Sequence, residues 1–236
     1  MDWKERYSRQ LMLEQWGEEG QRKLSEARIL LVGVGGLGSP IATYLCAAGV
    51  GQLGIVDADS VSESNLQRQV LYEESQVGQS KVECARQRLE RLNSNVKIVV
   101  YDCFLDSSNA DSIISEYDMV VDGCDNFATR FLLNDTCLKL GKPYIYGSIC
   151  GLRGQVSVFS YPCEDGRIHS YRELYDESEV LSMPHPGKAV LGVTPAVTGS
   201  VEASQALMIA SGGKPSLAGH LWGIDLESME SYKIGL

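Results

Sequence analysis

Residues 29–56 carry no charge, a run long enough to suggest a membrane-spanning helix. The glycines inside it argue against that element. Gly33, Gly35, Gly36 and Gly38 stand together near its start and Pro40 follows, so a continuous apolar helix would be broken there. The same residues read well as a strand over 27–32, a glycine turn, and a helix over 39–48. Pro40 then falls near the first turn, where its missing N–H costs nothing. Gly49 and Gly51 end the helix.

The alternation continues downstream. A strand over 52–56 ends in Asp57. A helix over 80–92 carries Val82, Ala85, Leu89 and Leu92 on one face. Strands over 96–101 and 119–121 follow, then a helix over 126–140 closed by Gly141 and Pro143, and a strand over 144–149. Strands alternating with helices predict an α/β fold: a Rossmann-like, mostly parallel sheet with helices on both faces. After Gly151 the pattern changes. A strand over 155–160, a helix over 194–210 with Pro195 at its start, and a hairpin from 222–225 and 232–234 predict an antiparallel C-terminal part on the same sheet. Residues 161–188 are polar, hold Pro184 and Pro186, and read as a long loop. Two helices, 7–13 and 18–27, open the chain, with Gly17 and Gly20 as interruptions. The expected organisation is one domain over 1–236: N-terminal helices 1–27, a nucleotide-binding part 28–150, and a C-terminal part 151–236.

Bulk composition removes several function classes. The 236 residues carry a formal charge of −10, which disfavours nucleic acid as a partner. Seven cysteines are scattered without C-x-x-C spacing, which predicts reduced thiols in a cytoplasmic protein, with neither a disulfide scaffold nor a thiolate zinc site. The three histidines, His169, His185 and His220, form no metal pattern. The charged start, Met1 to Arg6, has no apolar core of a signal peptide.

Gly33, Gly35 and Gly38 fit G-x-G-x-x-G between a strand and a helix, a setting in which backbone N–H groups and the helix N-terminus hold phosphate. Asp57 is placed to accept hydrogen bonds from ribose hydroxyls; otherwise the loop is a tight turn and Asp57 a surface acid. A Walker loop is excluded, because Gly38 is followed by Ser39-Pro40 rather than by lysine. Lys81 could supply that charge from the next helix, or be a solvated lysine. Arg68 offers a planar fork for phosphate oxygens, or a surface salt bridge. Asn65 could donate to phosphate, or form a turn. Their joint position within one crossover favours phosphate chemistry. Asp125-Asn126 follows an apolar strand, where Asp125 could hold Mg²⁺ or cap the next helix. Asp59 and Asp122 are lesser candidates. Arg9, far from the loop in sequence, would alone be a solvated arginine.

Arg9, the glycine loop with Gly36, Asp57, Asn65-Leu66-Gln67-Arg68-Gln69, Lys81 and Asp122-Gly123-Cys124-Asp125-Asn126 form an ordered series. This series resembles the ThiF/MoeB/HesA family, the bacterial relatives of ubiquitin-activating enzymes, over nearly the whole chain. The resemblance implies ATP- and Mg²⁺-dependent adenylation of the C-terminal glycine carboxylate of a small ubiquitin-like sulfur-carrier protein. It implies that Gly36 lies in the phosphate loop and Asp57 holds the ribose. Asn65, Arg68 and Lys81 would contact phosphates, Asp125 would bind magnesium, and Arg9 would reach across a homodimer. Two departures stand out. Related enzymes usually carry structural zinc on two C-x-x-C pairs, and the segment matching the first is Ser170-Tyr171-Arg172-Glu173. Within the long loop, the stretch from Tyr171 to Lys188 holds no cysteine of the kind that some members use covalently. Cys163, Cys124 and Cys150 lie nearby, and buried or inert thiols are the favoured reading of all three. The expectation is therefore adenylation without covalent transfer and without zinc. Thiamine, molybdopterin and other sulfur-transfer routes use such enzymes, and the residues do not choose among them. The rivals are an NAD-dependent oxidoreductase, which leaves Asn65, Arg68 and Lys81 without a task, a non-catalytic scaffold, and an enzyme whose acceptor is a short peptide or small carboxylate.

Overall fold

The computed structural model describes residues 2–182 and 189–236. One eight-stranded sheet, in the order β3-β2-β1-β4-β5-β6-β7-β8, runs through the molecule. Strands β1 (Arg28–Val32), β2 (Gln52–Val56), β3 (Lys97–Tyr101), β4 (Met119–Asp122) and β5 (Tyr144–Cys150) are parallel. Strands β6 (Arg153–Phe159), β7 (His220–Asp225) and β8 (Glu230–Gly235) continue the sheet antiparallel. The expected fold class is the observed one.

Side chains alternate across the parallel strands and feed two cores. Ile29 and Leu31 of β1 face one core with helices α3 (Gly17–Glu26), α4 (Gly38–Ala48), α5 (Lys81–Leu92) and α9 (Val193–Ala210). Leu30 and Val32 face the other, with α6 (Ala110–Ser115) and α7 (Phe127–Leu140). Burial on both faces explains why these strands read as unbroken apolar runs.

Several elements depart from expectation. The first expected helix, 7–13, is shorter than expected, α2 (Ser8–Leu11), and an unexpected helix α1 (Trp3–Arg6) precedes it, the two separated at Tyr7. Tyr7 leaves helical geometry because its ring is buried and its hydroxyl accepts a 2.9 Å hydrogen bond from Asn93. Gly17 does not interrupt α3 but begins it, and Gly20 lies inside it. Helix α6 was not expected; six residues are too few for a helical period to show.

The long loop 161–188 also holds more structure than its polarity suggests. It contains a 3₁₀ turn over Tyr171–Glu173 and helix α8 (Glu177–Ser182); Pro184, His185 and Pro186 lie outside the described residues. The turn occupies the segment where the family resemblance predicts zinc-binding cysteines. There, Ser170 and Glu173 close a capping box, and the Glu173 carboxylate also meets His169 Nδ1 at 2.8 Å. Asn134 of α7 accepts from the Tyr171 N–H at 2.8 Å, and Arg172 pairs with Asp135. Tyr171 is fully buried against Phe131, Tyr146, Phe159 and Tyr175. Hydrogen bonds and one aromatic ring therefore tie this segment to α7. Tyr171→Ala should cost about 3–5 kcal/mol in urea unfolding, as large aromatic truncations do; a loss below about 1 kcal/mol would mean that the ring does not anchor the segment.

Helix α9 packs closely on β5 and β6 because glycines leave it room. A Cβ on Gly147 would lie 2.1 Å from Glu202, and one on Gly154 would lie 2.0 Å from Thr198. The Glu202 carboxyl is thereby sealed in, and neither oxygen has a hydrogen-bond partner among the described residues. Burial first, and Asp122 second, push its pKa well above the ordinary 4.5, against the pull of Arg130. A raised acid takes up a proton on folding, so it lowers stability as pH rises from about the unfolded value toward the folded one. Glu202→Gln should remove a slope of up to about 1.4 kcal/mol per pH unit across that window. Urea titrations from pH 5 upward test this, and parallel pH profiles of the two proteins would refute it.

Candidate functional site

The register of the central strands places four exits in a row. Val32 pairs with both Val56 and Asp122, and Val56 pairs with Tyr101. Gly33, Asp57, Asp102 and Gly123 therefore leave the sheet side by side. The strand order reverses between β1 and β4, where open α/β sheets form a ligand crevice. A cleft of about 600 Å³ lies there, within the usual range for small-molecule sites.

The glycine loop forms one wall. Gly33 adopts φ +87°, and a Cβ on it would lie 2.6 Å from the Gly123 carbonyl oxygen. Gly36 lines the cleft; Gly38 does not, but a Cβ there would lie 2.2 Å from the Gly33 oxygen, so it is needed for packing. No side chain caps α4, whose first N–H groups lie at this wall. Val34 is held from both sides: Asp57 accepts from its N–H at 2.9 Å, and Tyr72 donates to its carbonyl at 2.8 Å. The other Asp57 oxygen accepts from the Asp59 N–H at 2.8 Å. Burial raises the Asp57 pKa, while the Val34 N–H and Lys81 draw it back down.

The β2–α5 crossover supplies the cations. Lys81 is buried in the cleft wall, and its ammonium donates to Asp59 at 2.7 Å. Arg68 lines the cleft half-buried and donates to the Ser64 carbonyl at 3.1 Å. Asn65 is not on the walls. Its carbonyl accepts from the N–H groups of Arg68 and Gln69, at 3.0 and 2.9 Å, so its observed work is to shape the turn that carries them. Gln69 is buried on the cleft wall, and its amide oxygen has no partner among the described residues.

Beyond β4, Asn126 rather than Asp125 caps α7, accepting from the Thr129 N–H at 2.9 Å. This leaves the Asp125 carboxylate exposed on the cleft without a hydrogen-bond or ion-pair partner among the described residues. Asp122 is fully buried and occupied. It accepts from the Cys124 N–H at 2.8 Å, from Tyr144 at 2.8 Å and from Arg130 at 3.2 Å. Arg9 stands exposed on α2, away from the cleft walls and without an ion pair among the described residues.

Sequence reading missed part of this site. Arg130, Tyr146, Ser148 and Tyr175 also line the cleft. Gln155 reaches Tyr146, Ser148 and Tyr175 with one amide nitrogen, at 2.7, 3.0 and 2.7 Å. None of these residues was singled out in the sequence as a site candidate; folding brings them onto one wall. The thiols divide. Cys124 is buried, and burial with Asp122 pushes its pKa up. Cys163 is half-buried and lies off the cleft, packed near Gly219. Cys150, expected to be buried or inert, is not buried: it is exposed on the cleft rim, at the end of β5. No three His, Cys, Asp or Glu side chains cluster as metal ligands among the described residues. No helix among them is long and apolar enough to cross a membrane.

The chain is 46% identical over 226 residues to a sulfur carrier protein adenylyltransferase of Thermus thermophilus, covering 92% of this chain and 81% of the relative. It is 43% identical to a probable adenylyltransferase/sulfurtransferase MoeZ of Mycobacterium tuberculosis, covering 97% of this chain but only 58% of that longer protein. The structure of E. coli MccB with AMPCPP and MccA superposes with a TM-score of 0.84 at 21% identity, over 98% of this chain and 71% of that one, a likeness of fold. A family model described as the ThiF family matches residues 7–235, and the chain belongs to the ThiF family.

Proposed function

We propose that the chain is an ATP-dependent adenylyltransferase that activates the C-terminal glycine carboxylate of a small ubiquitin-like sulfur carrier. The observation that carries this reading is the convergence of Arg68, Lys81 and the unpartnered Asp125 on a cleft floored by the glycine loop. In the reaction a carboxylate oxygen attacks the α-phosphorus. The bond to the bridging oxygen breaks, and pyrophosphate leaves with that electron pair. Relatives named as adenylyltransferases support the reading. An NAD-dependent oxidoreductase would leave Arg68 and Lys81 without work.

The residues divide the task. Gly33, Gly35 and Gly36 let the backbone approach the phosphates, Gly38 lets α4 pack against that loop, and Asp57 receives the ribose. Arg68 and Lys81 meet charge that grows on the α-phosphate, already in place and needing no reorganisation. Asn65 serves by setting the turn. Asn126 fixes the start of α7 beside Asp125. Asp125 is a hard, free carboxylate of the kind that takes Mg²⁺ together with phosphate oxygens, and Asp59 stands nearby as a second acid. That ion would neutralise phosphate charge. Arg9 faces solvent and would complete the site of a second subunit in a homodimer, in the manner of an arginine finger. Residues 1–236 would work as one adenylation domain, in the cytoplasm where its seven thiols stay reduced. Transfer would stop at the acyl-adenylate, with sulfur delivered by another protein. A thioester trapped on Cys163 or Cys150 would contradict that last step.

Arg68→Ala and Arg9→Ala should each slow ATP–pyrophosphate exchange by roughly 10²-fold or more with folding intact. Near-wild-type exchange in both would refute the assignment. Mixing Arg9→Ala with Asp125→Ala separates action in trans from action in cis. Random pairing in a dimer restores about a quarter of the sites if Arg9 crosses the interface, and none if it does not.

A further inference from the structure

The glycine loop, Asp57 and the crossover cations account for phosphate and ribose, but not for the end of the cleft beyond β2. That end is built by the loop leaving β3, where Cys103, Phe104 and Leu105 line the cleft. Leu105 is buried and Cys103 half-buried. Phe104 stands out from them with 74% of its surface exposed. An aromatic side chain left open on a cleft wall forgoes the large apolar burial that such rings usually supply.

The loop that carries it is held in place. The Asn109 amide donates to the Phe104 carbonyl at 2.9 Å, and its oxygen accepts from the Asp106 N–H at 2.9 Å. Asp106 in turn accepts from the N–H and hydroxyl of Ser108, at 2.8 and 2.6 Å. On the other flank, Asp102 accepts from the Ser80 hydroxyl at 2.9 Å. The backbone under Phe104 is therefore fixed before any ligand arrives, and the ring is presented at the rim.

Strand order says what should cover it. Phosphates belong at the loop after β1 and the ribose at Asp57 after β2. The base is joined to the ribose on the side away from the phosphates, so it extends toward the next exit, one strand spacing on at about 4.8 Å. That exit is the loop after β3, in register with the other two. We propose that Phe104 is a nucleotide-positioning residue whose ring stacks on the purine base of the bound nucleoside triphosphate. The proposal rests on the adenylation reading above and adds to it the group that holds the base. Stacking is indifferent to the hydrogen-bonding edge, so Phe104 supplies affinity and orientation rather than a choice among bases.

The test is calorimetric titration of the wild type, Phe104→Ala and Phe104→Trp, each with Mg²⁺ and either ATP or inorganic tripolyphosphate, which has no base. Phe104→Ala should weaken ATP roughly 5- to 150-fold while tripolyphosphate stays within about twofold, and Phe104→Trp should keep ATP near wild type. ATP affinity unchanged in Phe104→Ala overturns the stacking role and leaves the adenylation reading intact. Equal weakening of ATP and tripolyphosphate also overturns it, because the ring would then only support the loop. A wild type that binds NAD but not ATP overturns both readings together.

Discussion

The carbonyl of Gly33 is the point on which the cleft depends. A Cβ on Gly38 would lie 2.2 Å from this oxygen, and one on Gly123 only 2.1 Å from it. Three backbones therefore meet at a distance that no side chain permits. One belongs to the loop leaving β1, one to the first turn of α4, and one to the loop leaving β4. Their contact brings the N-terminus of α4 against the crevice between β1 and β4, and it sets Asp125 opposite the glycine loop. Were any of the three displaced by the width of a methyl group, the glycine-loop wall and the Asp125 carboxylate would move apart.

The same crevice is stiffened by polar groups that have withdrawn from solvent. Asp57 spends both oxygens on backbone N–H groups, and Tyr72 holds the far side of Val34. Asp122 and Arg130 form a buried pair whose remaining bonds go to Cys124, Tyr144 and Gly147. A buried ion pair adds little net stability, but removing one partner strands the other charge. Glu202 lies in the same field and has no hydrogen-bond partner among the described residues, so burial and then Asp122 push its pKa up and favour its neutral form. Polar groups bonded to one another and to backbone thus fix the walls of the cleft.

Legibility in the sequence followed the range of the interaction. The parallel half was readable because each strand is buried on both faces and each turn is marked by glycine; Gly33, Gly49 and Gly141 all adopt positive φ where the chain was expected to turn. Asp57 and Asp125 could be placed near the cleft because they follow strand ends, and Arg68 and Lys81 because they share the single crossover from β2 into α5; all four line it. Long-range choices were not readable. Tyr7 breaks its helix because Asn93 waits for it 86 residues away. Asn65 was expected either to meet phosphate or to form a turn, and its carbonyl holds the turn; the cap expected of Asp125 is supplied by Asn126 beside it. Arg130, Tyr146 and Tyr175 come from α7, β5 and the segment before α8, so only the folded chain shows that they share a wall. Polarity hid α8, whose single buried side chain is Val180.

Charge explains why such a site would need more than one chain can give. Three cations line the cleft, but two are already committed: Lys81 to Asp59 and Arg130 to Asp122. Arg68 alone among these three has no carboxylate partner among the described residues, while Asp57 and Asp125 add negative charge to the walls. A triphosphate is a polyanion, and a chain with a net charge of −10 offers it little general attraction. Affinity then has to come from the backbone N–H groups of the glycine loop, from Arg68 and from charge brought in from outside. Asp125 is the group that could recruit a divalent ion, and the unpaired, exposed Arg9 is a cation that a second subunit could deliver. On this account the acidic walls reject a bare polyanion and admit one that arrives with its metal, so the proposed metal and dimer follow from one shortage of positive charge.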